Sequence, residues 1–316
     1  MESATKNKKN FQQLSELTAA ALSVSLAEME ELTEGYCNAA YRLHLADGRC
    51  CIIKIAPFGD ENLLSYEKEM MKSEVSAMRL AQEYGGIPVA KVYAADGQCT
   101  VCDSPFFIME CLPGESLAKI KGELSPKILQ NIYTDLGKIL KRLHQIPAEQ
   151  FGLLSGLFCS QSWFSTFIQM MEALLKNAQA LEISIGMDPA RILAYLRTRE
   201  TVFSEVDIPH LIHWDTWDGN LLIQNNKISG IIDWERALWG DILMEYNFRS
   251  FAWNTDFLQG YGIQQLSARQ EERISWYDTY LNLILYIEAF YRKYPDRQGA
   301  MRAYDRFQKT MKEIGI

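Results

Sequence analysis

The segment from His213 to Glu235 restricts the fold and chemistry of this chain more than any other stretch. Asp215 precedes Asn220 by five residues, and a second carboxylate, Asp233, follows after two short apolar runs. The runs are residues 221–224 and 227–232. Between them lies Asn225-Asn226, a dipeptide that tolerates positive φ and is typical of a two-residue hairpin turn. The sequence therefore predicts a hairpin that folds Asp233 back towards Asp215 and Asn220.

Phosphoryl transfer requires such a grouping of oxygen-bearing side chains. One carboxylate accepts the proton of an incoming hydroxyl, and further oxygen ligands hold the Mg²⁺ that accompanies a nucleoside triphosphate. We therefore predict that Asp215 is the catalytic base and that Asn220 and Asp233 are Mg²⁺ ligands. An Asp that caps a loop is the alternative for Asp215, and the spacing of the other two residues disfavours it.

The same residues carry a resemblance to a known family. The pattern is His-x-Asp, Asn five residues after the Asp, then a hydrophobic pair, Asp and an aromatic residue, and it resembles the aminoglycoside phosphotransferase superfamily. These small-molecule kinases share the protein-kinase fold and include choline-kinase-like and fructosamine-kinase-like enzymes. The resemblance covers roughly residues 32–248 and implies an α+β, bilobal protein-kinase-like fold. An antiparallel sheet with one main helix would form the N-terminal lobe, and the C-terminal lobe would be mostly helical.

Some positions around the motif depart from the family pattern or have a structural role implied by it. Trp214 stands where the family usually has Gly, so it could alter the path of the loop or cover part of the substrate pocket. His213 is implied to pack behind the loop rather than to act as a base, and Asp218 is expected to be solvated or a loop cap. Asp241 is predicted to cap a helix and, by resemblance, to brace the loop. Glu245 replaces the Asp that usually follows, which weakens any role carried over to it.

Turn signals divide the chain into three parts. Asp47-Gly48 predicts a hairpin, Gly85-Gly86 ends a helix, and the Leu-Pro-Gly run at 112–114 is typical of a hinge. We predict an N-terminal extension at 1–31, a nucleotide-binding lobe at 32–112, and a helical lobe with the acceptor site at 113–316. The predicted helices are 11–31, 61–84, 125–145, 162–180, 189–198, 240–251 and 270–294. The predicted strands are 35–45, 49–55, 91–95 and 100–111.

Lys54 is a charged residue inside an otherwise apolar strand, and a buried Lys needs a partner. The resemblance implies two partners: the α- and β-phosphates of a nucleotide and a Glu on the following helix. Glu74 is the better candidate because it lies one turn from Met71 and Met78 on the inward stripe, and Glu67 is the second. The alternative is that Lys54 protects an edge strand.

The remaining nucleotide contacts are implied by the resemblance. Gly35 and Asn38 belong to a loop that takes the place of the phosphate-covering loop, although it is neither G-x-G-x-x-G nor a Walker A motif. Backbone groups of Glu110 and Leu112 would pair with the purine edge, and Met109 would border the back of the pocket. These contacts do not separate ATP from GTP as the donor.

Composition and charge exclude some partners. The chain has 32 Lys+Arg against 40 Asp+Glu, a net charge of −8, which argues against nucleic acid as the main partner. No secretory signal and no run of about 20 apolar residues appear, so no membrane partner is predicted. The seven scattered cysteines suggest reduced thiols in a cytoplasm. Cys99 and Cys102 form a lone C-x-x-C, which favours buried strand cysteines over a metal or redox site.

The acceptor is sought in the C-terminal helices. An aromatic-rich stripe there favours core packing, and the alternative is a pocket for an amine or quaternary ammonium. The stripe consists of Trp276, Tyr280, Leu283, Ile287 and Phe290, with Trp253, Phe257 and Tyr261 just upstream. The acids considered for a cation are Glu235, Asp256 and Glu288.

Together these residues predict a Mg²⁺-dependent phosphotransferase that moves the γ-phosphate of ATP or GTP to a hydroxyl of a small molecule. The acceptor is expected to be cationic, such as an aminoglycoside, amino sugar or choline-like alcohol. A protein kinase is disfavoured because the chain leaves little room for an activation loop between Trp234 and Gly240. A nucleotide-binding pseudokinase or scaffold is the alternative from a different class, and the unusual Trp214 keeps it open.

Overall fold

A computed structural model describes residues 6–33, 38–59, 63–294 and 296–316. Its helices are α1 (Phe11–Leu22), α2 (Met70–Tyr84), α3 (Leu117–Ile120), α4 (Pro126–Leu143), α5 (Trp163–Ala180), α6 (Pro189–Arg197), α7 (Glu200–Phe203), α8 (Thr255–Tyr261), α9 (Ala268–Tyr291) and α10 (Gln298–Glu313). Its strands are β1 (Leu26–Leu32), β2 (Ala39–Leu45), β3 (Cys50–Ile55), β4 (Val92–Asp96), β5 (Phe106–Glu110), β6 (Glu115–Ser116), β7 (Gly152–Leu153), β8 (His210–Ile212), β9 (Leu221–Gln224), β10 (Lys227–Ile231) and β11 (Leu238–Gly240).

The N-terminal lobe is a five-stranded sheet in the order β1-β2-β3-β5-β4. All four strand pairs are antiparallel. β3 is the middle strand, so Lys54 lies opposite Ala40 on one side and Phe107 on the other, and the edge-strand alternative for Lys54 is wrong. Helix α2 contacts β4 and β5. This antiparallel sheet, its helix and the helical remainder of the chain confirm the predicted bilobal α+β fold.

The helix predicted for residues 11–31 is only half correct. It ends at Leu22, where Ser23 takes a left-handed conformation with φ of 57° as the C-cap. Residues 26–32 instead form β1, which pairs with β2 along the edge of the sheet. This run is rich in Glu, Leu and Met, which favour helix, so pairing with β2 has overridden local propensity. Helix α1 packs with the outer face of the sheet around Leu14 and Leu17.

The C-terminal lobe is built on α4, α5 and α9, and the candidate catalytic segment, residues 213–235, contributes to two small sheets among these helices. The predicted hairpin is present: β9 and β10 pair antiparallel, and Asn225 and Asn226 have φ of 52° and 61°. The aromatic stripe of α9 packs in the core, since Trp276, Tyr280, Leu283 and Ile287 are buried. Core packing is therefore the correct interpretation for these four side chains.

Two further predictions differ from the structure. Residues 240–251 form no α-helix, because β11 ends at Gly240 and two 3-10 turns follow at Ile242–Met244 and Tyr246–Phe248. The strand predicted for 100–111 begins only at Phe106. Backbone amides of residues 98, 100 and 101 all donate to the Asp96 carboxylate, which folds this stretch into a loop. Cys99 is consequently exposed in that loop rather than buried in a strand.

Within the described ranges, no helix combines the length and the apolar content that crossing a bilayer demands.

Candidate active site

Asp215, Asn220 and Asp233 come together at the base of the hairpin. The Asn220 side-chain Nδ2 donates to Asp215 Oδ2 at 3.1 Å and to the Asp215 carbonyl at 2.9 Å. The amide of Ile232 donates to the Asn220 carbonyl at 3.0 Å, which holds the start of the Asp233 turn against Asn220. Three residues predicted from their spacing are therefore neighbours in space.

Glu245 holds the candidate catalytic loop, residues 213–220, from behind. Its carboxylate accepts the backbone amides of His213 at 2.5 Å and Trp214 at 2.9 Å, and the Thr216 hydroxyl at 3.3 Å. Burial would raise the pKa of this carboxyl, but His144 and His213 outweigh burial and hold it below its usual range. Its departure from the family pattern left Glu245 without a predicted role, whereas the structure makes it the direct brace of the loop.

Asp241 is a cap, as predicted, but of a 3-10 turn, and its other contacts are with α9. It caps the short turn by accepting the Leu243 amide at 3.1 Å. Its other carboxylate oxygen accepts from Arg273 at 2.8 Å and from the Tyr277 hydroxyl at 2.7 Å. Asp241 thus ties the end of β11 to α9, and the loop-bracing role implied for it falls to Glu245.

The backbone conformation at Trp214 explains why the family usually has Gly at this position. Trp214 has φ of 69°, a left-handed conformation that Gly adopts without strain and a bulky residue rarely does. The indole is buried and stacks on Tyr280, with ring centroids 5.8 Å apart, and meets the edge of Tyr66. The loop keeps its turn, and the side chain fills the core instead of covering a surface pocket.

His213 is structural, as expected. Its Nδ1 accepts the Asp215 amide at 3.2 Å, so Nε2 carries the proton and donates to the Ile232 carbonyl at 3.1 Å. Burial lowers the pKa of this imidazole. Because both ring nitrogens are occupied by the loop and the hairpin, His213 fixes Asp215 in place rather than acting on a substrate.

Lys54 connects the two lobes. Its Nζ lies 2.6 Å from Glu74 Oε1 on α2 and 2.5 Å from Asp233 Oδ1. Burial would lower the pKa of the amine, but Asp233 and Glu74 reverse this and raise it. Burial raises the pKa of Glu74 to about 7 although Lys54 opposes the shift. Glu67, the second candidate partner, instead forms a buried ion pair with Arg292.

The oxygen atoms left over at this site suit a hard divalent cation. The Asn220 Nδ2 is committed to Asp215, so its Oδ1 is the free end of the amide. Lys54 occupies only Oδ1 of Asp233. One amide oxygen and one carboxylate oxygen form a donor set that Mg²⁺ accepts, with water and phosphate oxygens completing the shell.

The Asp215 carboxyl is unusually basic. Burial raises its pKa to about 6, and the neighbouring charges of Asp233 and Glu235 add to the rise, whereas Arg236 opposes it. Arg236 follows Asp233 by three residues and donates to Glu288 at 3.3 Å. No sequence motif singles out this Arg, since its position depends on the turn after the hairpin.

The other predicted nucleotide contacts lie around the same cleft. Asn38 donates to Glu235 Oε2 at 3.2 Å, beside the Asp233 turn. Met109 is buried, and the Glu110 amide donates to the Lys91 carbonyl at 2.8 Å. Leu112 packs against Gly230 of β10, where a Cβ on the glycine would meet its Cδ1 at 2.5 Å. Gly35 lies outside the described residues.

Asp218 is partly solvated, with 25% of its side chain exposed, and it also has two side-chain partners. Its carboxylate accepts from Lys121 at 2.7 Å and from the Tyr133 hydroxyl at 2.8 Å. It therefore ties the catalytic loop to α4 and to the turn that follows α3. The pairing could not be foreseen because the three residues are widely separated in the chain.

Comparison with known proteins identifies the family. The sequence profile described as the phosphotransferase enzyme family matches residues 28–280, which include the whole catalytic segment. The chain belongs to the phosphotransferase enzyme family. The prediction of a kinase-type phosphotransferase is thereby confirmed. The phosphotransferase also passes from Asp233 through a single 3-10 turn to β11, which leaves no room for the activation loop of a protein kinase.

Relatives of this phosphotransferase are distant in sequence. Acyl-CoA dehydrogenase family member 10 of Mus musculus is 24% identical over 239 residues, covering 72% of this chain and 20% of that protein. The chain thus spans about a fifth of the length of that relative.

Solved structures share the fold. A thermostable mutant of aminoglycoside phosphotransferase APH(4)-Ia, in ternary complex with AMP-PNP and hygromycin B, matches with a TM-score of 0.66 at 15% identity, covering 96% of this chain and 99% of that one. The streptomycin–ATP complex of APH(2")-IIa matches with a TM-score of 0.62 at 16% identity, covering 96% and 97%.

Proposed function

We propose that this phosphotransferase moves the γ-phosphoryl group of ATP or GTP to a hydroxyl of a small molecule. Asp215 is the catalytic base, and Asn220 and Asp233 hold Mg²⁺. The observation that carries the proposal is the meeting of Lys54 and Asp233 across the cleft at 2.5 Å, beside the Asp215–Asn220 pair. Lys54 of the N-terminal lobe thus meets three residues of the segment 215–233 around one small space.

The Asp215 carboxylate orients the acceptor hydroxyl and takes its proton during transfer. Its pKa of about 6 leaves it mostly ionised at neutral pH yet more basic than an ordinary Asp, which suits a general base. His213 and Asn220 hold the carboxylate in position through the bonds described above. Bound Mg²⁺ supplies charge neutralisation between the phosphate oxygens.

Lys54 has two roles in this proposal. Without nucleotide it neutralises Asp233 directly; with nucleotide its amine contacts the α- and β-phosphates and keeps Glu74 as its protein partner. Asp233 is then free to bind the metal. The short Lys54–Asp233 contact thus marks the place where the phosphates enter, and the protein exchanges one ion pair for others.

The proposed contacts with the nucleotide base lie at the hinge between the lobes. Backbone groups of Glu110 and Leu112 pair with the purine edge, Met109 borders its back, and Gly35 and Asn38 approach the phosphates. The similar structures carry ATP or AMP-PNP, which supports an adenine nucleotide as the first donor to test, with GTP beside it. Such donors are abundant in the cytoplasm, so the proposal includes a cytoplasmic location.

The acceptor predicted from the sequence is a small cationic alcohol, and the similar structures bind aminoglycosides. The three acids considered for a cation each have a partner here. Glu235 accepts from Asn38, Asp256 from Gln130 and Glu288 from Arg236. A cationic acceptor therefore has to compete for these carboxylates, and it is one arm of the acceptor panel below.

A transfer assay tests the proposal. Labelled ATP and GTP are incubated with Mg²⁺ and a panel of aminoglycosides, choline, amino sugars and hydroxy acids, and phosphorylated products are detected by mass spectrometry. Wild-type protein and an Asp207→Asn control on the exposed loop before β8 should transfer phosphate, and Asp215→Ala should not. A pseudokinase would bind nucleotide without turnover on every acceptor, and that result would overturn the proposal.

A further inference from the structure

A cavity of about 300 Å³ lies against the catalytic loop. Trp217 and Asp218 of the loop form one side, and Tyr246 and Asn247 form another. Asn247 donates to the Thr216 hydroxyl at 2.9 Å, which joins this wall to the loop that carries Asp215. Burial raises the pKa of Tyr246, and the nearby charges of Asp215 and Asp218 add to it. The cavity is therefore next to the proposed base.

Aromatic side chains surround the cavity and remain open to solvent. Trp217, Phe251 and Trp253 are 43%, 38% and 46% exposed, although each belongs to a residue type that folding normally buries. Several large exposed apolar side chains around one depression mark a binding surface. Their flat faces suit the carbon skeleton or ring of a ligand.

The cavity offers no free carboxylate to a cation. Asp218 is the one acid among its described lining residues, and both of its oxygens are occupied, one by Lys121 at 2.7 Å and the other by Tyr133 at 2.8 Å. An ammonium group entering here would have to break that pair. The cavity therefore disfavours the cationic acceptor expected from the sequence.

Arg306 supplies a positive charge beside Phe251, one of the residues that line this cavity. Its guanidinium lies 4.8 Å from the ring centroid of Phe251, and its Nε donates to Asn282 Oδ1 at 2.9 Å. Within the described parts of the chain it forms no ion pair. The carboxylate of nearby Asp278 lies 3.5 Å from Arg249 Nε and accepts the Ser250 amide at 3.1 Å.

A half-buried Arg without an acid partner is costly, because burial removes its hydration and nothing replaces the lost charge interaction. Burial lowers the pKa of the Arg306 guanidinium, and the neighbouring Arg302 lowers it further. An anion bound at this position would relieve both effects. The planar guanidinium suits a carboxylate or phosphate, which it can bind through two parallel hydrogen bonds.

We propose that the acceptor is a hydroxylated anion whose carbon skeleton lies among Trp217, Phe251 and Trp253 and whose carboxylate or phosphate is bound by Arg306. The proposal rests on the phosphotransferase function proposed above. In the transfer, the acceptor oxygen forms a bond to the γ-phosphorus while its proton passes to Asp215. The bond from that phosphorus to the bridging oxygen breaks, and the nucleoside diphosphate leaves with the electron pair.

A matched acceptor series tests the charge preference. 4-(Hydroxymethyl)benzoate, 4-(hydroxymethyl)phenyl phosphate, 4-(hydroxymethyl)benzamide and 4-(hydroxymethyl)benzylamine share one ring and one hydroxyl but differ in charge. Binding is measured by calorimetry, and transfer is measured with ATP, GTP and Mg²⁺. We expect the two anions to bind more tightly than the amide and the amine. Comparing the benzoate with the phosphate tells which anion is preferred.

Variants on α10 test whether Arg306 causes the preference for anionic acceptors. Arg306→Gln should weaken binding of the anions by about tenfold or more, the loss expected when a charge-assisted pair is removed. Arg306→Lys should retain part of the binding. Lys309→Gln, which changes an exposed cation on the same helix that pairs with Glu313, should behave as wild type, and nucleotide affinity should be unchanged in all three.

The outcomes separate the two proposals. Tighter binding of the amine, equal binding of all four compounds, binding of none, or anion binding that is insensitive to Arg306→Gln would each overturn the anionic acceptor. Arg306-dependent binding of the anions without transfer in any acceptor panel would leave the site standing and refute the phosphotransferase function. Phosphate transfer to the four compounds regardless of their charge would support the phosphotransferase function and refute the anionic acceptor.

Discussion

The amine of Lys54 lies 2.5 Å from the carboxylate of Asp233, a contact between the sheet of the N-terminal lobe and the turn after the catalytic hairpin. The two residues are 179 positions apart, and both carry charge in a largely buried site. Burial would raise the pKa of the Asp233 carboxyl, but Lys54 overcomes this and lowers it. Lys54 therefore offsets part of the negative charge of Asp233 and Glu74 before any nucleotide enters.

Replacing Asp233 tests the metal assignment. Asp233→Asn should remove the Mg²⁺-dependent part of nucleotide binding, because an amide oxygen is a much weaker Mg²⁺ ligand than a carboxylate. Calorimetric titration of ATP with Mg²⁺ and with a chelator should give similar affinities for the variant and different ones for the wild type and Asp207→Asn. If the variant's affinity still depends on metal, Asp233 does not hold Mg²⁺.

Replacing Asp215 with Asn should lower activity and raise the stability of the fold. The pKa of the Asp215 carboxyl is raised from 3.8 to about 6, so the ionised form destabilises the folded state above about pH 6, and this cost disappears below about pH 4, where the group is protonated in both states. Asp215→Asn should therefore raise the free energy of unfolding by about 1–2 kcal/mol near pH 7.5, after allowance for partial solvent screening.

The measurement is urea unfolding of the nucleotide-free protein at several pH values. The gap between Asp215→Asn and the wild type should shrink as the pH falls from about 7.5 to about 4. Turnover should fall by orders of magnitude while nucleotide affinity changes little, because the interaction of Asp215 is strongest during transfer. A variant that is less stable than the wild type near neutral pH would contradict the raised pKa.

Local sequence signals predicted the part of the site that local structure builds. The Asn225-Asn226 turn, with both residues at positive φ, fixes the register of β9 and β10 and so brings Asp233 to Asn220. Lys54 was recognisable because a charge in an apolar strand demands a partner. In each case the signal lies within a few residues of the feature that it predicts.

Features that depend on distant contacts could not be predicted in this way. The run 240–251 has helical composition, yet Asp241 and Glu245 are held by Arg273 and by the catalytic loop, and these contacts favour short turns. The run 26–32 became a strand because β2 offered it an edge. Arg306 lies against Phe251 of the cavity from α10, which packs on α9, and no local pattern reveals this contact.

Removing the Glu245 brace should damage catalysis more than stability alone explains. Glu245→Ala leaves the amides of His213 and Trp214 unpaired in a buried site, which should cost about 3–5 kcal/mol of unfolding free energy. Asp241→Ala is a matched control, since it removes an equally buried carboxylate that touches Arg273 and Tyr277 instead of the loop.

Both variants are compared by urea unfolding and by turnover under conditions where each is fully folded. Similar losses of stability are expected, together with a much larger fall in kcat for Glu245→Ala, because only this change frees the backbone around Asp215. Equal kcat values for the two folded variants would show that Glu245 does not position the loop.

Two substitutions separate the effect of the Trp214 backbone conformation on stability from the effect of its side chain. Trp214→Ala and Trp214→Gly both delete a buried indole that packs on Tyr280 and Tyr66, so both should lower the free energy of unfolding by about 3–5 kcal/mol. The φ of 69° imposes a further cost of about 1 kcal/mol on Ala that Gly escapes. Gly should therefore be at least as stable as Ala here, the reverse of the order in a helix or strand, where Gly is less stable by about 0.5–1 kcal/mol. Thermal and urea unfolding of the two variants measure this difference, and an Ala variant clearly more stable than the Gly variant would rule out a left-handed residue at the centre of the catalytic loop.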